Sequence, residues 1–153
     1  MEVLIFECDQ RYFGVDAQSV REVVRAVALT PVPQAPTVVI GMVNLRGQVV
    51  PVLSTRRLLD LGDGDVRHTD HFIVVDAGGS SLALHVDRAL DLLKLDRDAA
   101  TADTDVESSR FVELVAKTHL GIVQVINPAK IFSDEALVSL RSIASSSSAT
   151  ELS

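Results

Sequence analysis

Short apolar runs separated by turn residues constrain the fold of this chain more than any other feature. The runs are rich in valine, isoleucine and leucine, and most are bounded by glycine, asparagine, aspartate or proline. Runs of this length and composition are typical of β-strands. The pattern predicts an all-β protein with short helices. The runs lie at residues 3–6, 12–15, 38–43, 49–53, 72–75, 82–86, 111–116 and 120–126.

The residues between the runs predict hairpins and connectors. Asn44-Leu45-Arg46-Gly47 predicts a hairpin turn in which Gly47 takes a positive φ. Residues 17–25 indicate a short helix or turn that leads into an extended segment. Three prolines in residues 30–36 (TPVPQAP) exclude a regular helix or a central strand, so this segment should be an ordered, extended connector. Apolar residues at helical spacing predict a C-terminal helix over residues 131–143.

A weak internal repeat indicates two similar units, although any two amphipathic hairpins resemble each other. Residues 49–59 (VVPVLSTRRLL) align with residues 122–132 (IVQVINPAKIF) in their apolar positions. Residues 3–23 align with residues 73–92, and Glu22-Val23 then matches Asp91-Leu92. The repeat predicts one domain over residues 1–144. Its two lobes should lie approximately at residues 1–66 and 67–144, and strands may be exchanged between them. The serine-rich tail, residues 145–153, should be disordered.

Composition excludes several classes of protein. A net charge of −7 argues against binding to nucleic acid or to anionic lipid. The single cysteine, Cys8, excludes an internal disulfide and a cysteine-based zinc site. No apolar stretch is long enough to span a membrane, and the N-terminus lacks the features of a signal peptide, so we expect a cytoplasmic protein. The initial methionine and the serine tail favour a complete chain over a fragment of a larger protein.

No constellation of residues indicates catalysis or a cofactor. The chain has no G-x-S-x-G nucleophile elbow and no glycine-rich phosphate loop. His68 and His71 flank Asp70 and could bind zinc, but they lie in a polar linker with no third ligand at a suitable spacing. A solvated loop is therefore favoured there. His85 alternates with Leu84 and Val86, which indicates a hydrogen-bonded histidine at the surface or at an interface. These observations favour a binding module without metal or cofactor.

One polar residue is less easily explained. Arg46 lies in a turn between two long apolar runs. A partly buried guanidinium needs a carboxylate or several carbonyl groups, and Glu22 is the candidate partner because its own segment is apolar. The alternative is an exposed turn arginine without a partner.

Several segments of the sequence resemble those of a known family. Residues 30–53 (TPVPQAPTVVIGMVNLRGQVVPVL) are similar to the signature of the CheW-like family of chemotaxis coupling proteins. Residues 4–23, 82–95 and 121–132 match other parts of the family pattern in order and spacing. The resemblance covers about residues 3–139, and the N-L-R-G core with correctly placed flanks is specific.

The resemblance implies two SH3-like five-stranded β-barrel lobes and a C-terminal helix. It implies a non-catalytic adaptor that couples the cytoplasmic tip of chemoreceptors to the regulatory domain of a CheA-type histidine kinase. The receptor tip would lie in the groove between the lobes, with kinase contacts at the ends of the barrels. Other CheW-like domains of the array are further expected partners. The protein would be cytoplasmic and would associate with membrane receptor arrays only through these partners.

The resemblance also selects candidate receptor- and kinase-binding residues, some from the family motif and some adjacent to it. They are Val20, Glu22, Val39, Gly41, Asn44, Leu45, Arg46 and Gly47. Three departures from the family pattern, Cys8-Asp9, Ser54-Thr55-Arg56 and the acidic residues 96–107, leave the partners open. A paralogue that scaffolds a non-flagellar signalling cluster is one alternative. A β-barrel that binds a small ligand and a metalloenzyme built around His68 and His71 are others.

Overall fold

The computed structural model describes residues 1–96 and 109–137, and within them the chain is mostly β. The strands are β1 (Glu2–Cys8), β2 (Arg11–Asp16), β3 (Val20–Arg25), β4 (Val39–Leu45), β5 (Gln48–Ser54), β6 (His71–Ala77), β7 (Ser80–Val86), β8 (Arg88–Lys94), β9 (Val112–Thr118) and β10 (Gly121–Ile126). The helices are α1 (Thr55–Leu58) and α2 (Pro128–Phe132), with 3-10 turns at Ala17–Ser19 and Glu135–Leu137. The prediction of an all-β fold with short helices is confirmed.

The strands form two five-stranded sheets. Sheet I has the order β8-β1-β2-β10-β9, and sheet II has the order β3-β6-β7-β5-β4. In each sheet one inner pair is parallel, β2 with β10 and β5 with β7, and the other pairs are antiparallel. Each sheet contains strands from both halves of the chain, so a boundary near residue 66 does not separate the sheets. β3 joins the later hairpin and β8 joins the earlier one. Closure of the sheets into barrels remains an expectation.

The internal repeat is present in the structure, down to its irregularities. The two sheet orders are related by a shift of five in strand number. If five is added to the numbers of the strands from β1 to β5 and subtracted from those of the strands from β6 to β10, the order of sheet I becomes that of sheet II. Arg21 is an extra residue in β3, and β8 carries a register shift against β1 at the matching place. Ile40 in β4 and Glu113 in β9 are likewise extra residues. Such bulges bend a strand locally. The two units therefore share the same fold.

Three apolar cores explain why the central strands read as continuous apolar runs. One face of sheet I packs against one face of sheet II and forms the inter-sheet core, which contains Phe6 and Phe13 from sheet I and Ile73 and Leu84 from sheet II. The opposite face of each sheet has a core of its own. β1 and β6 are buried on both faces, and a strand buried on both faces has no polar alternation.

The C-terminal helix differs from its prediction. α2 begins at Pro128, with Asn127 as its N-cap, and ends at Phe132, where Ser133 is the C-cap. Proline suits the first turn of a helix because its missing N–H has no partner there in any case. The helical segment thus begins three residues earlier than predicted and is broken before the 3-10 turn. The remainder of the predicted helix, the serine tail and residues 97–108 of the acidic segment lie outside the described residues.

The interpretation of Asp70 and His85 was wrong. Asp70 belongs to the predicted polar linker, yet its side chain is buried, and so is that of His85. His85 Nε2 lies 2.7 Å from Asp70 Oδ2, and the His85 ring meets Phe72 edge-on at 6.0 Å between ring centroids. His85 was expected to be a hydrogen-bonded histidine at the surface or at an interface, because it lies between two apolar residues; it is hydrogen-bonded but buried. The residues of β7 from Ser81 to Val86 are buried on both faces, so alternation does not indicate exposure there.

Candidate functional site

The turn between β4 and β5 has the geometry that its sequence predicts. Arg46 has φ 53° and Gly47 has φ 85°, so both central residues are left-handed, as in a type I′ hairpin. The Oδ1 of Asn44 accepts a hydrogen bond of 2.9 Å from the backbone N–H of Gly47. Asn44 and Gly47 therefore determine the shape of the turn. Arg46 is the unusual residue, because an arginine in this conformation costs about 1 kcal/mol or more.

The predicted ion pair between Glu22 and Arg46 is present. Arg46 Nη2 lies 3.1 Å from Glu22 Oε1, and Arg46 Nη1 lies 3.4 Å from Glu22 Oε2. The side chain of Glu22 is only 15% exposed, whereas that of Arg46 is 79% exposed. The pair spans the two edge strands of sheet II, because Glu22 lies on β3 and Arg46 follows β4. Its partially solvated geometry leaves most of the guanidinium available to another molecule.

Two further side chains complete what we call the polar cluster, which consists of Arg21, Glu22, Arg46 and Gln48. Arg21 Nη1 donates a hydrogen bond to Gln48 Oε1, and Arg21 Nε lies 3.8 Å from Glu22 Oε2. Arg21 is the bulge residue of β3, so it is not paired with β6. A bulge redirects a side chain out of the regular alternation. Both arginines of the cluster thus share a single carboxylate.

Gly41 is explained by close packing. It lies in β4 with φ 154°, and a Cβ built on it would lie 2.7 Å from the Cβ of Leu29 and 3.0 Å from the carbonyl oxygen of Thr30. Thr30 also exchanges two backbone hydrogen bonds with Met42, of 3.0 and 2.8 Å. The chain that follows β3 therefore runs against β4 without room for a side chain at position 41.

The apolar candidate residues do not form a single patch. Val20 and Val39 are partly buried against the inter-sheet core, while Leu45 packs against the core of sheet II. Val39 and Leu45 are at opposite ends of β4, which for a strand of seven residues is about 20 Å. The structure brings together Glu22, Arg46, Asn44 and Gly47, but it places Val39 and Gly41 at the other end of the strand.

A second surface runs along the line where β3 and β8 approach, which we call the seam. His71, paired with Arg25 of β3, accepts a hydrogen bond of 3.2 Å at Nδ1 from the backbone N–H of Ala89 in β8. At the other end, one open pocket joins Gln18, before β3, to Leu95, after β8. The start of β8 therefore lies near the end of β3, and the end of β8 lies near the start of β3, so the two strands run in opposite directions.

Two apolar side chains, those of Val23 and Leu92, are exposed at the seam. Val23 pairs with Ile73 and Leu92 pairs with Leu4, and both of these partners belong to the inter-sheet core. Val23 and Leu92 thus lie on the faces that the sheets turn towards each other. They are nevertheless 39% and 51% exposed, because each stands on an edge strand. The seam is therefore an apolar surface that residues 1–96 and 109–137 leave open.

Comparison with known proteins identifies the family. A family model described as a CheW-like domain matches residues 2–136. The chain belongs to the CheW-like family. It is 21% identical over 149 residues to the chemotaxis protein CheW of Treponema pallidum, covering 93% of this chain and 88% of that protein. It is 35% identical over 100 residues to CheW of Rhizobium meliloti, covering 63% of each protein.

Two further comparisons agree. The protein FrzA of Myxococcus xanthus is 31% identical over 94 residues, which cover 61% of this chain and 59% of FrzA. The crystal structure of the scaffolding protein TtCheW from Thermoanaerobacter tengcongensis superposes with a TM-score of 0.78 at 26% identity, covering 88% of this chain and 89% of that one. Proteins of the CheW-like family are non-catalytic scaffolds that couple receptors and the kinase CheA in chemotaxis arrays. This chain is accordingly a non-catalytic coupling adaptor of the chemotaxis type.

An ionic contact holds the two sheets of this CheW-like chain together. Arg56, at the start of α1, donates hydrogen bonds to both carboxylate oxygens of Asp87 at 3.2 and 2.9 Å and to Asp9 at 3.3 Å. Asp9 lies in the β1–β2 turn of sheet I, and Asp87 lies between β7 and β8. Burial alone would lower the pKa of Arg56, but its hydrogen bonds to Asp87 and the charge of that carboxylate raise it. The contact therefore stays charged.

Cys8 lies beside this contact as an unreactive thiol. Burial raises the pKa of the Cys8 thiol to about 12, and the charge of Asp87 adds to this effect. A thiol with this pKa is protonated near neutral pH and is a poor nucleophile.

Sequence reasoning missed Val23 and Leu92 as candidate surface residues. The signal was present, because the repeat alignment matches Glu22-Val23 with Asp91-Leu92. It also missed Arg21 and Gln48, since a bulge cannot be read from composition. Within residues 1–96 and 109–137, no group of three or more histidine, cysteine or acidic side chains is placed to hold a metal ion. In the same ranges, no helix has the length and apolarity required to cross a membrane.

Proposed function

We propose that this chain binds the cytoplasmic tip of a chemoreceptor along the seam and the regulatory domain of a CheA-type kinase at the far end of sheet I. The observation that carries the proposal is the exposure of Val23 and Leu92, two repeat-equivalent apolar side chains on faces that otherwise form the inter-sheet core. An exposed apolar strip of this kind fits a helix that buries an apolar face. The adaptor would act in the cytoplasm and join receptor arrays through these partners.

The geometry of the seam favours an antiparallel helical hairpin as its occupant. β3 and β8 run in opposite directions and present one exposed apolar residue each. A hairpin also consists of two antiparallel segments, and each of them can bury one of these side chains. The apolar area is small, so we expect micromolar affinity for one receptor tip and reliance on the avidity of an array.

Arg46 and Glu22 provide the polar part of the receptor contact in this proposal. Arg46 stands in a left-handed conformation that favours glycine or asparagine, and its side chain is mostly in solvent. Packing therefore gives no reason for an arginine there, which supports a role in binding. Asn44 and Gly47 fix the turn. Val20, Val39, Gly41 and Leu45 contribute indirectly, through the inter-sheet core, the core of sheet II and the packing of β4.

The kinase surface is proposed at the β9–β10 hairpin. Leu120 and Ile122 are exposed there, next to the edge of sheet I that lies opposite to β8. Lys117 pairs with Ile122 across the hairpin and adds a positive charge beside this apolar pair. The regulatory domain of the kinase, or another CheW-like domain of the array, would bury these two side chains. A paralogue that serves a non-flagellar cluster would use the same surfaces with a different receptor.

Two binding measurements test the proposal. The partners are the cytoplasmic hairpin fragment of a chemoreceptor and the regulatory domain of a CheA-type kinase from the same genome. Leu92→Glu should weaken receptor binding at least tenfold and leave kinase binding unchanged, because it places a charge in the seam. Ile122→Glu should do the reverse. If both variants weaken the same partner, or neither weakens any, the assignment of surfaces is wrong.

A coupling assay tests Arg46 separately. Arg46→Glu should abolish receptor control of kinase phosphorylation while the variant stays folded, because it removes the exposed guanidinium and sets two carboxylates side by side. His68→Ala is the control, since His68 is exposed in the connection before β6 and is not part of the polar cluster. Normal coupling by a folded Arg46→Glu protein would contradict the proposed role of Arg46.

A further inference from the structure

We propose that Arg21 is a specificity-determining residue of the coupling surface and that it binds a carboxylate on the helical partner. The inference rests on the proposed function, because it assumes that a partner covers the polar cluster. It concerns a residue outside the N-L-R-G motif. The observations that carry it are the bulge that positions Arg21, the charge of the cluster, and the neutral side chain that holds the guanidinium.

The bulge makes Arg21 available to a partner. Val20 pairs with Val75 and Glu22 pairs with Val74, so these β3 residues oppose neighbouring residues of β6 while Arg21 opposes none. Without the bulge, the alternation of β3 would fix Arg21 on a regular face of the strand. The bulge turns it towards the β4–β5 hairpin, where Gln48 begins β5. The side chain remains 32% exposed.

The charges of the polar cluster do not cancel. It contains the guanidinium groups of Arg21 and Arg46 and the single carboxylate of Glu22. Arg46 approaches both oxygens of that carboxylate at 3.1 and 3.4 Å, whereas the closest approach of Arg21 is 3.8 Å. Most of the charge of Glu22 is therefore matched with Arg46. The cluster keeps one positive charge, located mainly on Arg21, in a chain with a net charge of −7.

Gln48 prepares Arg21 for an anionic ligand. Its Oε1 accepts a hydrogen bond from Arg21 Nη1, which orders the side chain without neutralising it. A guanidinium held by a neutral acceptor retains donors in a planar fork, and that fork matches the two oxygens of a carboxylate. Because the side chain is already ordered, less conformational entropy is lost when the partner binds. The expected ligand is thus an aspartate or glutamate side chain on the helical hairpin.

Receptor binding at several salt concentrations tests the inference. The probe is the receptor hairpin fragment used above, titrated with wild type, Arg21→Gln and Lys130→Gln at 50 to about 300 mM salt. Arg21→Gln should raise Kd about three- to tenfold at low salt and should make the dependence of log Kd on log salt concentration less steep. Lys130→Gln removes the same charge from the exposed surface of α2, so it controls for net charge and should change neither quantity.

The outcomes separate this inference from the proposed function. If wild type binds the fragment and Arg21→Gln binds it with the same Kd and the same salt dependence, the role of Arg21 is wrong while the seam proposal stands. If wild type does not bind the fragment, both are overturned. A final test uses Arg21→Glu with hairpin fragments in which each acidic residue is replaced singly by lysine. Restored binding by one of them identifies the partner carboxylate, and failure of every fragment contradicts a direct contact.

Discussion

At the scale of single residues, Gly41 separates a structural requirement from a binding role. A Cβ at this position would overlap Leu29 and the carbonyl of Thr30, and the φ of 154° is unfavourable for other residues. We expect Gly41→Ala to lower the free energy of unfolding by about 1–3 kcal/mol more than Gly78→Ala. Gly78 also has a positive φ but has open space around it. Urea denaturation of both variants measures the difference, and equal losses would contradict the packing argument.

Asp70 is a second residue whose role is structural. Burial alone would raise the pKa of Asp70. Hydrogen bonds from the Arg67 N–H and the His85 ring, together with the charges of both residues, outweigh burial and lower the pKa below its usual value. A lowered pKa means that the ionised carboxylate stabilises the fold. This stabilisation is complete above the pKa of the unfolded chain, about 3.9, and is lost as the pH falls through the lower pKa of the folded state.

A matched pair of variants measures the contribution of Asp70. Asp70→Asn should lower the free energy of unfolding by about 1–3 kcal/mol at pH 7, because it weakens charge-assisted hydrogen bonds inside the protein. The difference from wild type should shrink as the pH approaches 3. Asp65→Asn, an exposed change in the same connection, should have little effect at either pH. A deficit for Asp70→Asn that is unchanged at low pH would mean that the ionised carboxylate is not the stabilising form.

Asp70 and His85 show which part of the structure could not be predicted from the sequence. The Glu22–Arg46 pair was predictable, because each residue stands in an apolar segment, where a partly buried charge needs a partner of opposite charge. Asp70 and His85 were not, since Asp70 stands in a polar segment and burial of a polar residue depends on a partner fifteen positions away. The pleat of β7 places His85 on the same face as Phe72, and only the pairing of β6 with β7 reveals it.

At the scale of the elements, α1 and α2 are equivalent parts of the repeat. Each follows the strand that pairs in parallel, and each begins with a polar cap. Ser54 Oγ accepts from the N–H of Arg57 at 3.2 Å, and Asn127 Oδ1 accepts from the N–H of Ala129 at 3.0 Å. We expect Ser54→Ala and Asn127→Ala each to destabilise the protein by about 1 kcal/mol. Thermal or urea unfolding checks this, and an effect confined to one cap would show that the helices contribute differently.

The strands were predicted more successfully than their arrangement. Apolar runs located β1, β4, β5, β6 and β7 because each run is long enough to be buried. Sheet membership was not predictable in the same way, since β3 follows the β1–β2 hairpin in sequence but joins sheet II. Neither run length nor alternation contains information about that exchange. The bulges at Arg21 and Ile40 set the register of the edge strands, and they too depend on pairings distant in sequence.

At the scale of the whole molecule, the exchange of β3 and β8 makes the two sheets depend on each other. Neither half of the chain can complete a five-stranded sheet alone. The inter-sheet core contains large side chains from both sheets together with Ile131 and Phe132 of α2. The contacts of Arg56 with Asp9 and Asp87 add an ionic link at the same boundary. For these reasons the two sheets should unfold as a single cooperative unit.

Native-state hydrogen exchange tests this cooperativity. Val74 is fully buried in the core of sheet II and takes no part in the inter-sheet core. Val74→Ala should cost about 2 kcal/mol through lost burial and an unfilled cavity. If the sheets unfold together, the most protected amides of β10 in sheet I must lose the same protection as those of β5 in sheet II. Val23→Ala, a similar truncation at an exposed site, should change neither set. Loss of protection in β5 alone would mean that sheet II opens independently, and the rigidity that a coupling adaptor needs between its surfaces would then have another source.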